Sequence, residues 1–470
     1  MRLIQIISIW SVIVLSQLFI DQAHASSDWS LSLIKAKKMN PDHFSFYWAN
    51  DEAKPILSHR SDQMMLPASI TKLMTASAVL EFLPPGTKFK TRLSSPAKIE
   101  GQVLKGDLYL VGGGDPSFVS ENMWFLANQF ARTGIKVIEG SVVVDDSLFD
   151  SVRFDSSRES VRVDRAYDAP VGAMSFNWNS LNVYIRPTEN ASAKVILDPE
   201  SDYYTLINQV KTVSGSALSI DVDRRWDSSA KKEIFTVRGK IGKNIKEHVV
   251  FANINHPDLW SGHNLKSFLA QRGIVVKGNI KTGVASSNHT VLAESESKPA
   301  ELILADMNKF SNNYVAEMLT KQLALTKSSQ GKMSEGIEVV RQHLKSLGLS
   351  NDEFKIINPS GLTRENRIST FALWKILDYH KHNFSTQPEM LSSLPIGGVD
   401  GTLKKRFKDK QMLRKVRAKT GLLNGVTSLA GYIDHQQSSS AFVFIYNGPG
   451  DASLAREVMD EILEKHYLQR

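Results

Sequence analysis

The stretch LPASITKLMTASAVLEFLPPG, residues 66–86, decides the fold that this sequence predicts. Pro67 lies where the first turn of a helix tolerates proline. Pro84, Pro85 and Gly86 end the helix, because prolines break the backbone hydrogen-bond pattern and glycine favours a turn. Apolar residues occupy nearly every face of this helix. A helix that is apolar all round is normally buried, so we expect it at the centre of a packed domain.

Ser69 and Lys72 form an S-x-x-K pattern at the start of this helix. Residues three apart share a helix face, with Cβ atoms about 5–6 Å apart, so the lysine amine can reach the serine hydroxyl. Serine is a weak nucleophile without an adjacent base. Lowering a lysine pKa from ~10.4 to about 7 corresponds to roughly 4–5 kcal/mol, which burial can supply. The pattern alone is weak, because it recurs at Ser32/Lys35, Ser95/Lys98, Ser295/Lys298 and Ser329/Lys332.

The sequence on either side predicts an interrupted α/β unit. HFSFYWAN and KPILSHR predict neighbouring strands around a polar turn. From residue 86 to about 297, strand-like pieces dominate, namely GDLYLVGGG, GSVVVDD, LNVYIRP, KEIFTVRG and IVVKGNIKTG. After about residue 298 helical patterns return in PAELILADMNKFSNNYVAEMLTKQLA, GIEVVRQHLKSLG, STFALWKILDYHK and SLAREVMDEILEKHYLQ, with strands TSLAGYID and SAFVFIYN before the last helix.

Two further motifs follow in the carboxy-terminal part. Ser311-Asn312-Asn313 is an S-x-N pattern in a helical region, where a hydroxyl can relay a proton and an amide can hold a carbonyl. Lys419-Thr420-Gly421 is a K-T-G pattern before the strand VTSLAGYI, and its glycine lets a substrate backbone approach the strand. Each motif also occurs elsewhere, S-x-N at Ser175–Asn177 and Ser180–Asn182 and K-T-G at Lys281–Gly283. The order S-x-x-K, S-x-N, K-T-G, however, is that of penicillin-interactive enzymes.

The amino terminus predicts export. Arg2 precedes an apolar run from Leu3 to about Ile20, and Ala23-His24-Ala25 forms an A-x-A cleavage pattern. We therefore expect a signal peptide over residues 1–25, cleaved after Ala25, and a periplasmic location. An uncleaved membrane anchor is the alternative.

Composition excludes several classes of function. The chain of 470 residues has no cysteine, which excludes disulfides, thiolate metal sites and a cysteine nucleophile. The net charge of +8 is compatible with peripheral association with anionic wall polymers or membrane head groups, or with solubility alone. The basic residues are dispersed and form no nucleic-acid-binding motif, so we expect no nucleic-acid partner. Without H-E-x-x-H we expect no metal or other cofactor, and without G-x-S-x-G no α/β-hydrolase triad.

The chain resembles the low-molecular-mass class C penicillin-binding proteins, the D-alanyl-D-alanine carboxypeptidase/endopeptidase family. Besides the motifs, the resemblance rests on GDLYLVGGGDPS, VVVDDSLF, YDAPVGAMSFNWN, NPSGLTRENRIS, LPIGGVDGTL and VRAKTGLLNGVTSLAGYI. It implies an α/β (α+β) penicillin-binding/serine β-lactamase-like domain, with an antiparallel sheet flanked by helices, interrupted by two nested β-rich domains. We place the catalytic domain at 26–85 plus 298–470 and the inserted region at 86–297, with a nested domain at about 98–170. The segment 168–182 departs from the usual family pattern, which concerns side-chain specificity.

The resemblance also implies a role for each motif residue. Ser69 would be acylated, Lys72 would deprotonate it, and Ser311 and Asn313 would relay protons and orient the substrate. The expected substrate-binding residues are Lys419 and Thr420 for the terminal carboxylate, Gly421 on the same strand, Leu422, whose N–H would join that of Ser69 in an oxyanion hole, and Arg364 and Asn424 along the stem-peptide pocket.

Partners and rivals follow from the same resemblance. The expected partners are peptidoglycan peptides as substrates and β-lactam antibiotics as covalent inhibitors. A β-lactamase on the same scaffold is one rival, although the insertion between Ser69 and Ser311 is longer than such an enzyme needs. A non-catalytic wall-binding protein is the other alternative, and the intact motifs argue against it.

His380 and His382 lie near a helix end, where we expect solvated side chains rather than a metal site.

Overall fold

The computed structural model describes residues 28–159, 166–435, 438–449 and 452–468. The signal peptide and its cleavage pattern predicted at residues 1–25 lie outside these ranges. Among the described residues, no helix combines the length and the apolar character that crossing a membrane requires.

The helices are numbered along the chain. They are α1 (residues 28–36), α2 (Lys72–Phe82), α3 (Ser120–Ala131), α4 (Pro257–Ala270), α5 (Ala300–Lys309), α6 (Asn313–Ala324), α7 (Met333–Ser346), α8 (Thr370–His382), α9 (Gln387–Ser393) and α10 (Ala452–Leu468). Short 3-10 helices occur at Pro41–His43, Ala68–Thr71, Ala166–Asp168, Asn177–Asn179 and Gly401–Leu403.

The strands are numbered in the same way. They are β1 (Phe44–Ala49), β2 (Pro55–His59), β3 (Lys90–Ser95), β4 (Ile99–Glu100), β5 (Val103–Leu104), β6 (Leu108–Val111), β7 (Val137–Ile138), β8 (Val142–Asp145), β9 (Ser180–Arg186), β10 (Lys194–Asp198), β11 (Tyr204–Val213), β12 (Leu218–Asp227), β13 (Lys232–Gly242), β14 (His248–Asn253), β15 (Val275–Val276), β16 (Ile280–Thr282), β17 (Thr290–Glu296), β18 (Phe354–Lys355), β19 (Arg367–Ile368), β20 (Val416–Leu423), β21 (Val426–His435) and β22 (Ser438–Asn447).

The described residues divide into two compact units. The first unit takes those of Met1–Pro85, Leu304–Asn312 and Ile337–Arg470, and the second unit takes Gly86–Ile303 and Asn313–Gly336. The domain limits expected from the sequence, at 85/86 and 297/298 and around 98–170, stay predictions.

The first unit is built on one five-stranded antiparallel sheet in the order β2-β1-β22-β21-β20. Helix α8 packs on β1 and β22, and α10 packs on β21. Alternate side chains of the central strands, among them Phe46, Trp48 and Phe444, fill the core on one face with apolar residues of α10. Strand β20 is an edge strand, so one side of its backbone is not paired within the sheet. The predicted antiparallel sheet flanked by helices is confirmed.

Helix α2 is buried as the sequence predicts. Its residues from Lys72 to Leu80 are all buried, and the chain leaves the helix before Pro84. The preceding residues Ala68–Thr71, however, form a 3-10 helix rather than the first α-helical turn. Ser69 therefore lies in a tight turn and Lys72 is the first residue of the α-helix.

One helical prediction is wrong. The stretch PAELILADMNKFSNNYVAEMLTKQLA predicts a continuous helix, but the structure has two helices there. Helix α5 ends at Lys309, and α6 begins at Asn313. Ser311 has a left-handed backbone with φ +54°, and the N–H of Asn312 donates to the carbonyl of Met307 at 3.0 Å. This is the Schellman pattern that ends helices, with serine at the position that usually takes glycine. The periodic apolar pattern continued through residues 310–312, so it concealed the break.

The second unit is rich in β-structure, as predicted. Its sheets have the orders β16-β8-β6-β3-β17, β15-β7-β5-β4, β10-β9-β14 and β11-β13-β12. One apolar core lies between these sheets and helices α3 and α4, and it includes Phe176, Tyr203 and Trp260. The other K-T-G sequence, at Lys281–Gly283, ends strand β16 here, where Lys281 pairs with Asp107 at 2.9 Å.

Candidate active site

The turn that carries Ser69 brings its hydroxyl next to the amine of Lys72. Nζ of Lys72 donates to Oγ of Ser69 at 3.2 Å. The Lys72 side chain is fully buried, whereas Ser69 is only partly covered and remains open to a ligand. Ala68, just before the serine, has a left-handed φ of +52°. Strain of this kind in a residue other than glycine is typical of functional turns.

A second acceptor holds the same amine. The backbone carbonyl of Ser360 accepts a hydrogen bond from Nζ of Lys72 at 2.6 Å. Burial disfavours the charged form of a lysine, whereas hydrogen bonding to a carbonyl favours it. The amine of Lys72 therefore lies between the hydroxyl of Ser69 and the carbonyl of Ser360, two groups that are almost 300 residues apart in the sequence.

Ser311 and Lys419 form a second hydroxyl–amine pair in the first unit. Nζ of Lys419 donates to Oγ of Ser311 and to the carbonyl of Thr420, each at 2.8 Å. The Lys419 side chain is fully buried. Burial holds the pKa of Lys419 well below its ordinary value, and the positive charge of Lys72 lowers it further. The two lysines are therefore electrostatically coupled, so the proton affinity of one depends on the charge of the other.

Gly421 sets the distance between strand β20 and the nucleophile turn. A Cβ atom added there would overlap the hydroxyl oxygen of Ser428 and lie 3.0 Å from the backbone N of Ser69. The Ser428 hydroxyl in turn donates to the carbonyl of Pro67 at 2.7 Å. Only glycine permits this approach, which leaves the backbone N of Ser69 next to strand β20. Leu422, the next residue on this edge, is 59% exposed.

Two pairs of residues lie at this edge, and all of them are exposed except Thr420, which is half-buried. The hydroxyls of Thr420 and Thr402 lie 2.8 Å apart. Arg364 donates from Nη2 to the backbone carbonyl of Asn424 at 2.8 Å. The structure therefore brings Arg364 and Asn424 together, as it does Ser69 with Lys72 and Ser311 with Lys419. Sequence reasoning missed Thr402, although it lies in the quoted segment LPIGGVDGTL.

Asn313 belongs to the second unit, at the first residue of α6. Its side chain is buried, and Nδ2 donates to Oδ1 of Asp168 at 2.7 Å. Asp168 is also fully buried, and it starts the segment 168–182 that departs from the family pattern. The sequence did not predict the contact between Asn313 and Asp168, because the two residues lie far apart in the chain and share no motif.

The histidines predicted as solvated differ from each other. His382 is exposed, but His380 is buried and contacts Ser77 and Thr386, so the prediction for His380 is wrong. Helix α8 is covered on the face that carries His380, which the sequence pattern of its last turn does not indicate. No group of three or more metal-ligating side chains occurs among the residues that the structure describes.

The fold is that of a penicillin-binding protein. The crystal structure of penicillin binding protein 4 from Haemophilus influenzae superimposes with a TM-score of 0.78 at 22% identity, covering 90% of this chain and 96% of that one. The same protein complexed with a β-lactam superimposes with a TM-score of 0.73 at 22% identity and the same coverage.

The chain belongs to the D-Ala-D-Ala carboxypeptidase 3 (S13) family, whose sequence profile matches residues 46–466. A D-alanyl-D-alanine carboxypeptidase of Actinomadura sp. strain R39 is 30% identical over 420 residues, which cover 85% of this chain and 77% of that protein. The predicted resemblance to class C penicillin-binding proteins and the predicted serine peptidase class are confirmed.

Proposed function

We propose that this serine peptidase cleaves the D-alanyl-D-alanine ends, and the corresponding D,D cross-links, of peptidoglycan stem peptides through an acyl-enzyme on Ser69. Membership of the S13 family supports the substrate class. The observation that carries the assignment of the nucleophile is the contact of 3.2 Å between Nζ of the buried Lys72 and Oγ of Ser69. A buried amine beside a serine hydroxyl is the arrangement that an activated serine requires.

The first step is acylation. The neutral amine of Lys72 takes the hydroxyl proton as Oγ of Ser69 attacks the carbonyl carbon of the penultimate D-alanine. The carbonyl oxygen becomes an oxyanion, for which the N–H groups of Ser69 and Leu422 are the proposed donors. The close passage of β20 at Gly421 beside the N atom of Ser69 supports this pairing of donors.

The second part of the site holds the substrate. The outer edge of β20 is bonded to residues 395–397 as far as Ala418, so an extended peptide would pair with the rest of that edge, from Lys419 onward, as peptides do with other exposed strands. Lys419 and Thr420 on that strand would hold the terminal carboxylate, and Arg364 with Asn424 would line the pocket for the stem peptide. The hydrogen bond that the Thr420 hydroxyl donates to Oγ1 of Thr402 orients the Thr420 side chain.

The leaving group departs with a proton. The C–N bond breaks, and the amine of the leaving D-alanine, or of the cross-linked residue, gains the proton through Lys72 and the hydroxyl of Ser311. The contact of 2.8 Å between Ser311 and Lys419 supports a relay at this hydroxyl. The role of Asn313 in orienting the substrate rests on the family resemblance. Water then attacks the ester carbonyl as Lys72 accepts its proton, the bond from the carbonyl carbon to Oγ of Ser69 breaks, and Lys72 returns the proton to Oγ.

β-Lactams would acylate the same serine, because opening of the strained ring replaces departure of the amine. A related protein of the same fold has been solved with a β-lactam bound. Lys72 supplies the base, so the proposed reaction has no step that needs a metal or cofactor.

We further propose that the protein is exported to the periplasm with cleavage after Ala25. The net charge of +8 would attract the chain peripherally to anionic wall polymers.

The test is intact mass spectrometry with peptide mapping after incubation with benzylpenicillin, on the wild type and on Ser69→Ala. We expect one adduct on the peptide that contains Ser69, and none in the variant. An adduct elsewhere would overturn the assignment of the nucleophile. No adduct with intact drug would favour a non-catalytic wall-binding protein, and no adduct with hydrolysed drug would favour a β-lactamase. Release of D-alanine from a pentapeptide and cleavage of a cross-linked dimer then measure the two peptidase activities.

A further inference from the structure

The carbonyl of Ser360 is placed to direct the amine of Lys72. It accepts from Nζ at 2.6 Å, a shorter contact than the 3.2 Å from Nζ to the Ser69 hydroxyl. A neutral amine has two N–H bonds and one lone pair. An acceptor that holds one N–H therefore restricts where the lone pair points. The position of this carbonyl thus determines whether the amine faces the serine as a base.

A local turn sets the position of that carbonyl. Both the backbone N–H and the hydroxyl of Ser360 donate to Oδ1 of Asn358, at 2.9 and 2.6 Å. The backbone of Asn358 is held in turn by the side chain of Asn366. Oδ1 of Asn366 accepts from the N–H of Asn358 at 3.1 Å, and Nδ2 donates to its carbonyl at 2.7 Å. All three side chains are fully buried, so water does not compete for these bonds.

The same asparagine reaches the nucleophile turn. Nδ2 of Asn366 also donates to the hydroxyl of Thr71 at 3.2 Å. The Thr71 hydroxyl donates to the carbonyl of Ala68, the strained residue before Ser69, at 2.8 Å. Gly361 passes so close that a Cβ atom there would overlap the same Ala68 carbonyl. The turn bearing the serine and the turn bearing the Ser360 carbonyl are therefore joined through one buried amide.

We propose that Asn366 and Thr71 are positioning residues that hold the nucleophile turn and the Ser360 carbonyl in register, so that the Lys72 amine points at Ser69. This inference rests on the proposed function. It adds to that function two side chains that touch neither the substrate nor the reacting atoms. The S-x-x-K motif thus depends on its third residue, through a bond to a segment almost 300 residues away.

The proposal predicts a signature that lost packing would not produce. The hydrogen bond to the Ser360 carbonyl favours the ammonium form of Lys72. The charge of Lys419, on the neighbouring strand β20, opposes that form. Loosening the Ser360 carbonyl should therefore lower the pKa of Lys72 and move the acidic limb of the acylation rate to lower pH. Misdirection of the lone pair should at the same time lower the plateau of that rate.

The experiment compares Thr71→Val, which keeps the shape and removes the hydroxyl, with Thr71→Ser, which keeps the hydroxyl. Thr370→Val is the matched control: Thr370 is equally buried in the first unit, and its hydroxyl contacts the Ser45 hydroxyl at 2.9 Å and the Ser61 carbonyl at 3.3 Å. The second-order rate constant of acylation by benzylpenicillin is measured from about pH 5 to about pH 9, and thermal stability is measured for each protein.

We expect Thr71→Val to slow acylation about 10- to 100-fold, with the acidic limb at lower pH, and Thr71→Ser to keep most of the wild-type rate. Thr370→Val should lose similar thermal stability but acylate as the wild type does. Equal rates and pH profiles in the two valine variants would overturn the positioning role while the proposed function stands. A wild type that forms no adduct on Ser69 would overturn both.

Discussion

Two buried histidines that contact the same serine of helix α2 predict that this protein loses stability in acid. Ser77 on α2 has Oγ at 2.7 Å from Nε2 of His343 and at 2.7 Å from Nε2 of His380. Nδ1 of His380 lies 2.8 Å from the hydroxyl of Thr386. All four side chains are buried. The single hydroxyl proton of Ser77 can satisfy one neutral imidazole while the other imidazole donates to its oxygen.

Protonation disturbs this arrangement. Burial lowers the pKa of His343 to about 4. Burial, with a smaller contribution from His343, lowers the pKa of His380 to about 3. Both values are below the ordinary value of 6.5, so the folded state binds these protons more weakly than the unfolded chain does. The network therefore stabilises the fold fully above about pH 6.5 and loses that contribution as the pH falls towards about 4 and then about 3.

The magnitude follows from the width of this pH window. Between about pH 6.5 and pH 4.5 each unfolded imidazole gains a proton that its folded counterpart largely does not, which costs roughly 2–3 kcal/mol per histidine at ~1.36 kcal/mol per pH unit. The two histidines together would remove about 5 kcal/mol, a large part of the stability of a typical domain.

The perturbation is His343→Gln, whose amide can still bond to Ser77 but does not titrate. The assay is denaturant unfolding at about pH 7 and about pH 4.5. We expect the wild type to lose roughly 2–3 kcal/mol more than the variant over this interval. His382→Gln, on the exposed face of the same helix as His380, is the control and should behave as the wild type does. Equal losses in the wild type and His343→Gln would refute the reasoning.

Three further substitutions test other parts of the structure. Gly421→Ala should slow benzylpenicillin acylation about 100-fold, because the new Cβ would overlap the Ser428 hydroxyl and push β20 away from the nucleophile turn; a wild-type rate would contradict this. Thr402→Val removes the 2.8 Å partner of the Thr420 hydroxyl and should raise KM for a peptide with a free carboxylate several-fold, but not for its amide; an equal change for both peptides would contradict a role in carboxylate binding. Glu317→Gln breaks the buried ion pair of 2.7 Å between Glu317 and Arg158 and should lower the free energy of unfolding, measured with denaturant, by about 3–5 kcal/mol. A loss below about 1 kcal/mol, which is typical of an exposed ion pair, would contradict this.

The sequence predicted the local parts of the first unit well, because those parts depend on neighbouring residues. The apolar stretch after Ser69 could only be a buried helix, and Pro84 and Pro85 ended it. Strands β1, β2, β21 and β22 were visible as short β-branched and aromatic runs between turns. The left-handed turn at Ser311 was not visible, because the apolar period runs through it and serine is not the residue that such a turn usually takes.

The candidate site shows the same division. The spacing of three residues between Ser69 and Lys72 is local geometry, and the sequence by itself determined that their side chains meet. Only the tertiary structure decided that Lys72 also meets the carbonyl of Ser360, and that His380 faces Ser77 rather than solvent. Such contacts join elements hundreds of residues apart, and backbone carbonyls carry no residue-specific signal. Which groups are buried together is therefore decided by packing of the whole unit, and burial is what sets the proton affinities of its amines and imidazoles.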